Sequence, residues 1–264
     1  MHVQLDALPP PLTRYVSALH YHEGNADGQR ERILPAGNIH LMVNLHADEI
    51  RVDHGSARGA VLQGPQARSH VVDFSVLRAF VTVDFTPGGA ARFFASPLAE
   101  TRDLLVDLVD LWGPAEAALR DQLLEAAGPA RKLAVLAAAL QRHLDPAPPD
   151  PAMVMAAAAL RRGASVAGVA SHLGLLPGSF VRRFRAATGL APKRFARVQR
   201  LQRVVAAASA ARGRPDWARI ATEHGYADQA HLIHDFRDLT GLTPTEYCPI
   251  SPDAPNHLAV PGGR

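Results

Sequence analysis

The chain has 264 residues and a formal net charge of +3 at pH 7, a length typical of one large or two ordinary domains. Hydrophobic residues make up 47% and charged residues 20%, which excludes a disordered chain, and the longest apolar run, Ala152 to Leu160, is too short to span a membrane. The start of the chain lacks a signal peptide and Cys248 is the single cysteine, so we expect a cytoplasmic protein. A single cysteine also excludes internal disulfides, iron–sulfur clusters and zinc fingers, and we expect Cys248 to be half-buried.

Residues 1–144 alternate between strand-like and helical segments. Three β-branched or alternating runs, bounded by glycine and proline, predict strands at 39–45, 49–52 and 77–85. Three further segments predict helices, at Thr86 to about Ala95, at Gly113 to about Ala127 and at residues 130–144, the last with Leu133, Leu136, Leu140 and Leu144 on one face. We therefore expect an α+β domain, a small β-barrel or sandwich plus helices, that serves as a sensor or dimerisation domain.

A proline-rich linker separates this domain from the rest of the chain. Residues 145–151 contain four prolines, which remove amide donors and favour an extended backbone. Apolar residues then recur at helical spacing through residues 152–248, so this part is predicted to be an all-α domain. Residues 249–264 form a C-terminal tail.

The helical domain contains an internal repeat. The segment Phe184-Arg185-Ala186-Ala187-Thr188-Gly189-Leu190-Ala191-Pro192 recurs 52 residues later as Phe236-Arg237-Asp238-Leu239-Thr240-Gly241-Leu242-Thr243-Pro244. Each copy has a capping residue, a small alanine before a turn glycine, and a second helix with an aromatic inner face, which is the pattern of a helix-turn-helix unit. The capping, alanine and glycine positions are Ser165, Ala170 and Gly174 in the first unit, and Asp216, Ala221 and Gly225 in the second.

Residues 152–248 resemble the AraC/XylS-type bacterial transcription regulators, which carry tandem helix-turn-helix units joined by a long helix. The resemblance is carried by Ile220-Ala221, by residues 225–237 and by Gly241-Leu242-Thr243-Pro244-Thr245-Glu246-Tyr247, and it makes residues 194–208 the connecting helix. Leu34-Pro35-Ala36-Gly37, residues 85–91 and Leu111-Trp112-Gly113 resemble a poorly characterised domain often fused to such regulators. The resemblance implies a DNA-binding transcription factor modulated by a small-molecule effector or by oligomerisation.

The resemblance also implies which residues meet DNA. The base-reading positions map to Gly178, Val181, Arg182, Arg185, Gln229, His231 and His234. Positions suited to phosphate are Arg183, Lys193, Arg194 and Arg197. Arg182 is the first choice for base recognition, because a guanidinium can donate two hydrogen bonds to guanine. Double-stranded DNA is the implied partner, and RNA polymerase, a small-molecule effector and a second copy of the chain are further candidates.

Charge divides the two units. Residues 152–215 contain 12 basic and no acidic residues, whereas residues 216–248 contain two basic and six acidic residues. Because phosphate neutralisation drives non-specific DNA binding, the charge pattern predicts that the first unit dominates affinity.

The helices that follow Leu176 and Ala191 lack the usual capping serine, whereas Thr243 to Glu246 keeps a full capping box.

Other chemistry has weaker support in the sequence. The histidines at positions 20, 22, 40, 46 and 70, with Glu23, could converge on one metal ion in a barrel. The spacing His-x-His-Glu does not place a carboxylate on a neighbouring strand, so we expect scattered histidines, no metal and no cofactor. No nucleophile, phosphate-loop or dinucleotide motif is present, and no catalytic residue is predicted. An enzyme or metal-binding barrel fused to a DNA-binding module is the alternative.

Overall fold

The computed structural model describes residues 1–5, 7–24, 30–114, 118–211 and 213–260. A β-rich part with two antiparallel sheets comes first, and a helical part follows it, which confirms the predicted fold class. None of the helices in these ranges is long and apolar enough to cross a bilayer.

The strands form one six-stranded and one five-stranded sheet. Along the chain they are β1 (His2–Gln4), β2 (Val16–Glu23), β3 (Arg30–Ile33), β4 (His40–Asn44), β5 (Ile50–Val52), β6 (Gly55–Ala57), β7 (Ala60–Gln63), β8 (His70–Asp73), β9 (Ala79–Phe85), β10 (Leu105–Asp107) and β11 (His257–Val260). The first sheet has the order β1-β2-β9-β4-β7-β10 and the second has the order β11-β3-β8-β5-β6. The predicted strands at 39–45, 49–52 and 77–85 correspond to β4, β5 and β9.

Helices cover one face of the first sheet and make up the second half of the chain. They are α1 (Leu108–Trp112), α2 (Ala118–Glu125), α3 (Gly128–His143), α4 (Pro151–Arg161), α5 (Val166–His172), α6 (Pro177–Thr188), α7 (Pro192–Ser209), α8 (Trp217–Glu223) and α9 (Gln229–Thr240). The predicted leucine face of α3 is buried at Leu133, Leu136 and Leu140 against the first sheet. The predicted helix from Gly113 to about Ala127 corresponds to α2, and its residues 115–117 lie outside the described residues.

The predicted helix from Thr86 to Ala95 is wrong. The segment contains only a single 3₁₀ turn, Ala90–Arg92. Gly88 has φ +80°, outside the helical region. The Thr86 amide donates to the carbonyl of Tyr15, the residue just before β2, at 2.8 Å, which holds the segment in place. Cys248 is also exposed rather than half-buried.

The two halves share a hydrophobic core. The helical core around Phe180, Phe195 and Phe236 includes Leu34 and Ala67 of the β-rich half, both at most 2% exposed. Strand β11 follows the helices in sequence, yet it pairs antiparallel with β3 in the second sheet. The predicted division into residues 1–144 and 152–248 therefore separates segments that pack together.

Gly89 lies where the chain turns from β9 toward α1. Its φ of −66° is open to any residue, but a Cβ there would overlap the carbonyl oxygen of Tyr15. We predict that Gly89→Ala lowers the free energy of unfolding by about 1–3 kcal/mol, because the backbone of Tyr15 must move. Gly24→Ala is the matched control, since nothing lies within 4 Å of its added Cβ.

Urea unfolding of both variants would measure this difference. The control should change the stability by less than about 0.5 kcal/mol. Equal midpoints for Gly89→Ala and the unsubstituted protein would contradict the steric explanation.

Candidate nucleic-acid interface

The first helix-turn-helix unit consists of α5 and α6. The Ser165 hydroxyl caps α5 by accepting from the Gly168 amide at 3.0 Å, as expected. Gly174 turns the chain with φ +63°. Leu176 precedes α6 and provides no side-chain cap, which confirms the expected weak helix start. The first-turn amides of α6 are thus open to an acceptor from outside the chain.

The inner face of α6 is fixed by aromatic packing. Phe180 and Phe184 are at most 1% exposed, and the Phe184 ring meets the Phe195 ring of α7 at 5.3 Å. The opposite face carries the predicted base-reading residues, all of them exposed: Gly178, Val181, Arg182 and Arg185. Recognition helices read DNA with their N-terminal residues, and this is the part of α6 that is open.

The second unit, α8 and α9, repeats this arrangement. Leu232 and Phe236 form the buried face of α9. The predicted Gln229, His231 and His234 are exposed on its other side. The His231 Nδ1 accepts from the Ala227 amide at 3.4 Å, so its Nε2 can donate a proton outward.

Lys193 and Arg194 lie exposed in the first turn of α7. Ala191 precedes this helix without a side-chain cap, as predicted. Two cations at the positive end of a helix are locally unfavourable, whereas a phosphate placed there would accept from the free amides and from both side chains. The local geometry therefore suits a phosphate contact.

Arg183 and Arg197, also predicted for phosphate, are already paired within the protein. Arg183 donates to Asp150 at 2.7 Å, which joins α6 to the residue that caps α4. Arg197 binds Asp235 and also Asp238, the latter at 2.7 Å. A phosphate would have to compete with these carboxylates, so Lys193 and Arg194 are the better placed pair.

Asp235 is the centre of a buried polar network between α7 and α9. Its side chain is 5% exposed and accepts from Arg197, from Arg200 at 3.1 Å and from the Tyr226 hydroxyl at 2.9 Å. The Arg200 guanidinium also lies over the Tyr226 ring at 4.2 Å. Burial and the Asp235 carboxylate raise the pKa of Tyr226, which keeps its hydroxyl a donor. Asp235 is one of the six acidic residues counted in the second unit, and it faces the interior rather than the surface.

All six acidic residues of the second unit have a local partner. Asp216 and Asp228 cap helices, and Glu246 completes the capping box predicted at Thr243. Glu223, Asp235 and Asp238 form salt bridges. The Arg197 guanidinium holds the pKa of the Asp238 carboxyl below its usual range. Three of the six carboxylates are thus paired with arginines, two of which belong to the first unit, and the other three lie at helix N-termini. The count of negative charges alone therefore overstates how strongly the second unit opposes DNA.

The β-rich half touches the C-terminal ends of both recognition helices. Residues 64–69, here called the bridging segment, run between β7 and β8. Pro65 packs directly at Gly189, which ends α6. Ser69 reaches the end of α9, where its amide donates to the Leu239 carbonyl at 2.9 Å and its hydroxyl donates to the Thr240 carbonyl at 2.7 Å.

These contacts satisfy carbonyl groups that a helix end leaves free. Arg32 of β3 adds a donor to the Thr240 carbonyl at 3.2 Å and places a cation at the negative end of α9. One surface of the β-rich half thus holds two helices whose opposite ends are exposed. No motif in the sequence indicated the bridging segment.

A cavity of about 330 Å³ lies between the two halves of the chain. Asn38, His40 and Asp84 line it from the β-rich half, and Arg161 and Gln199 line it from the helices. The Arg161 guanidinium donates to the Asn38 side chain at 3.2 Å, and burial lowers its pKa. Among the described residues, no carboxylate forms a salt bridge with Arg161.

Comparisons with known proteins match two segments of the chain to families. Residues 169–248 match a family described as a helix-turn-helix domain, and residues 8–107 match a domain of unknown function, DUF6597. No curated protein matches the chain.

Solved structures of ToxT from Vibrio cholerae match the chain at low similarity. The apo form of a ToxT variant is 9% identical, with a TM-score of 0.45, over 87% of this chain and 96% of that chain. ToxT bound to an unsaturated fatty acid is 9% identical, with a TM-score of 0.43, over 93% of this chain and 94% of that chain.

The Asp235 network generates a stability prediction. Asp235→Ala leaves Arg197 and Arg200 without their shared carboxylate, so we expect the free energy of unfolding to fall by about 2–3 kcal/mol. Asp238→Ala is the control, since Asp238 is 42% exposed and pairs only at the surface, where a salt bridge contributes less than about 1 kcal/mol. Equal losses in urea unfolding would show that the buried network does not tie α9 to α7.

Proposed function

We propose that this chain, whose residues 169–248 form an AraC-type helix-turn-helix domain, is a sequence-specific DNA-binding transcriptional regulator. The observation that carries the proposal is the exposure of the N-terminal halves of α6 and α9, whose opposite ends are fixed by the rest of the protein. Two recognition helices on one protein can enter successive major grooves, so the site spans roughly 20 base pairs. As such a regulator, the chain acts in the cytoplasm and carries no catalytic step of its own.

In the first unit, Arg182 reads a guanine and Lys193 and Arg194 bind the backbone. Arg182 is exposed in the second turn of α6, without an ion-pair partner among the described residues. A free guanidinium at this position can donate to O6 and N7 of guanine. Gly178 provides no side-chain donor, and it leaves room for a base or phosphate to approach the α6 backbone.

In the second unit, Gln229 is the base reader and His231 supports it. Gln229 is the first residue of α9 and is exposed, and its amide can form two hydrogen bonds to adenine. The Nε2 of His231 is directed away from its bond to Ala227 and suits a phosphate or a base acceptor. Since the acidic residues of this unit are engaged locally, both units contribute to recognition.

The cavity between the two halves is the effector site. Its wall carries the half-buried Arg161, which has no carboxylate partner among the described residues, whereas Asp84 of the same wall is engaged by His20 and His40. A small organic ligand whose anionic group faces Arg161 is therefore the class that it favours. An occupant would contact residues of the β-rich half and of α4 and α7 at once. Ligand binding would thereby change how the β-rich half holds α6 and α9. The effector, RNA polymerase and a second copy of the chain are the partners through which such a regulator controls transcription.

The effector site can be tested with monocarboxylates of increasing chain length, from acetate to octanoate. A carboxylate that binds the folded state raises the unfolding temperature in a saturable way. Arg161→Met should abolish this rise because it keeps an unbranched apolar stem and removes the charged guanidinium. Arg162→Met is the control, since Arg162 is the exposed neighbour. A rise that persists in Arg161→Met would place the anion elsewhere.

DNA recognition can be tested by fluorescence anisotropy with duplexes selected from genomic fragments and with scrambled duplexes. Arg182→Ala should weaken binding to the selected site by about 1–3 kcal/mol and relax the preference at one base pair. Arg194→Ala should weaken selected and scrambled duplexes alike and reduce the salt slope by about one unit.

Two outcomes would contradict this assignment. If the unsubstituted protein shows the same affinity for selected and scrambled duplexes at about 150 mM salt, it is not a sequence-specific regulator. If Arg182→Ala loses equal affinity for both duplexes, Arg182 contacts phosphate and another side chain reads the base.

A further inference from the structure

Three histidines meet at one edge of the first sheet. His20 and His22 alternate along β2 with Leu19 and Tyr21, so they share the face opposite to the core that those two residues enter. The antiparallel register of β1 on β2 places His2 directly across from His22. Three imidazoles from two strands are therefore brought together by strand pairing alone.

The ligand atoms of the three rings are within reach of one ion. One ring nitrogen from each histidine lies within 4.8 Å of the others. The Nε2 of His2 and the Nδ1 of His20 are 3.1 Å apart. Ligands of a tetrahedral zinc ion lie about 3.3 Å from one another, given a Zn–N distance of about 2.0–2.1 Å. The His2–His20 pair already has about this spacing, and the remaining nitrogens must close from at most 4.8 Å.

A carboxylate orients the central histidine. The Nε2 of His20 lies 3.4 Å from Asp84, and the other oxygen of Asp84 accepts from the Nδ1 of His40 at 2.7 Å. When Nε2 of His20 donates to Asp84, its Nδ1 carries the lone pair and faces His2. Metal-binding histidines almost always have such an acceptor on the ring nitrogen away from the metal. The His20–Asp84 contact is independent of the three-histidine cluster and favours the same ligand.

We propose that His2, His20 and His22 form a binding site for a divalent transition-metal ion of the zinc type, with Asp84 as the positioning residue for His20. Imidazole ligands suit Zn²⁺, Cu²⁺ and Ni²⁺, whereas Mg²⁺ and Ca²⁺ prefer oxygen ligands. A bound ion would fasten the short edge strand β1 to β2 and would leave a fourth coordination position open to water or to another ligand.

The alternative is a stack of histidines that packs without a metal. The rings of His2 and His20 are stacked at 5.0 Å, and His22 stacks on Phe80 at 4.6 Å. Packing explains the contact of His22 with Phe80. In the metal-free protein, one imidazole donates to the other across the 3.1 Å between His2 Nε2 and His20 Nδ1, and the far side of His20 meets Asp84. A metal ion would replace this hydrogen bond with two coordinate bonds.

Titration of the full-length, chelator-treated protein with ZnCl₂ in a calorimeter tests the site. We expect saturable binding of one Zn²⁺ per chain that MgCl₂ does not reproduce, together with a rise in the unfolding temperature. His2→Ala, His20→Ala and His22→Ala should each lower the Zn²⁺ affinity at least tenfold. Asp84→Asn should lower it by about 10–100-fold, as expected for the loss of a partner that orients a ligand.

His46→Ala is the matched control, because His46 is an exposed histidine of the same half and lies outside the cluster. It should bind Zn²⁺ like the unsubstituted protein. His2→Ala keeps the test valid if the β2 variants fail to fold, since His2 is exposed near the start of the chain. No saturable Zn²⁺ binding, or an unchanged affinity in His2→Ala and His22→Ala, would overturn the proposal.

Discussion

The docking of the β-rich half onto the C-terminal ends of α6 and α9 is the constraint on which the rest of the structure depends. Two helices that read neighbouring grooves must keep a fixed spacing and orientation, and short helices do not hold such a geometry by themselves. The bridging segment contacts the end of each helix, at Gly189 and at Thr240. The shared core around Leu34 and Ala67 makes this contact part of the hydrophobic interior rather than a loose interface.

A second set of contacts acts within the helical half. Asp235 draws Arg197 and Arg200 of α7 toward α9, so the connecting helix and the second recognition helix are joined by charge as well as by packing. The excess of positive charge in the first unit and of negative charge in the second is in part a consequence of this pairing. A count of charges along the sequence cannot distinguish a carboxylate that faces DNA from one that holds an arginine.

Local patterns predicted the structure well where the relevant contacts are local. The internal repeat, the helix caps at Ser165 and Asp216 and the leucine face of α3 follow from spacing alone. Proline often starts a helix, so the sequence predicts one after Thr86. The tight approach of Gly89 to Tyr15, which arises from tertiary packing, is not visible in that local pattern. The sequence does not place His2 beside His20 and His22, because β1 has only three residues and nothing in them predicts pairing with β2. The bridging segment likewise cannot be recognised from its sequence, because its role depends on its contacts with the ends of α6 and α9.

The order of the strands has a consequence for how the protein is made. Strand β11 is synthesised after all the helices, yet it completes the edge of the second sheet beside β3. During translation, the β3 edge of the second sheet therefore stays unpaired until the helical half has left the ribosome. The two halves mature together. A chimaera that exchanges the helical half between related proteins would keep all five strands of the second sheet only if the strand at 257–260 stayed with the β-rich half.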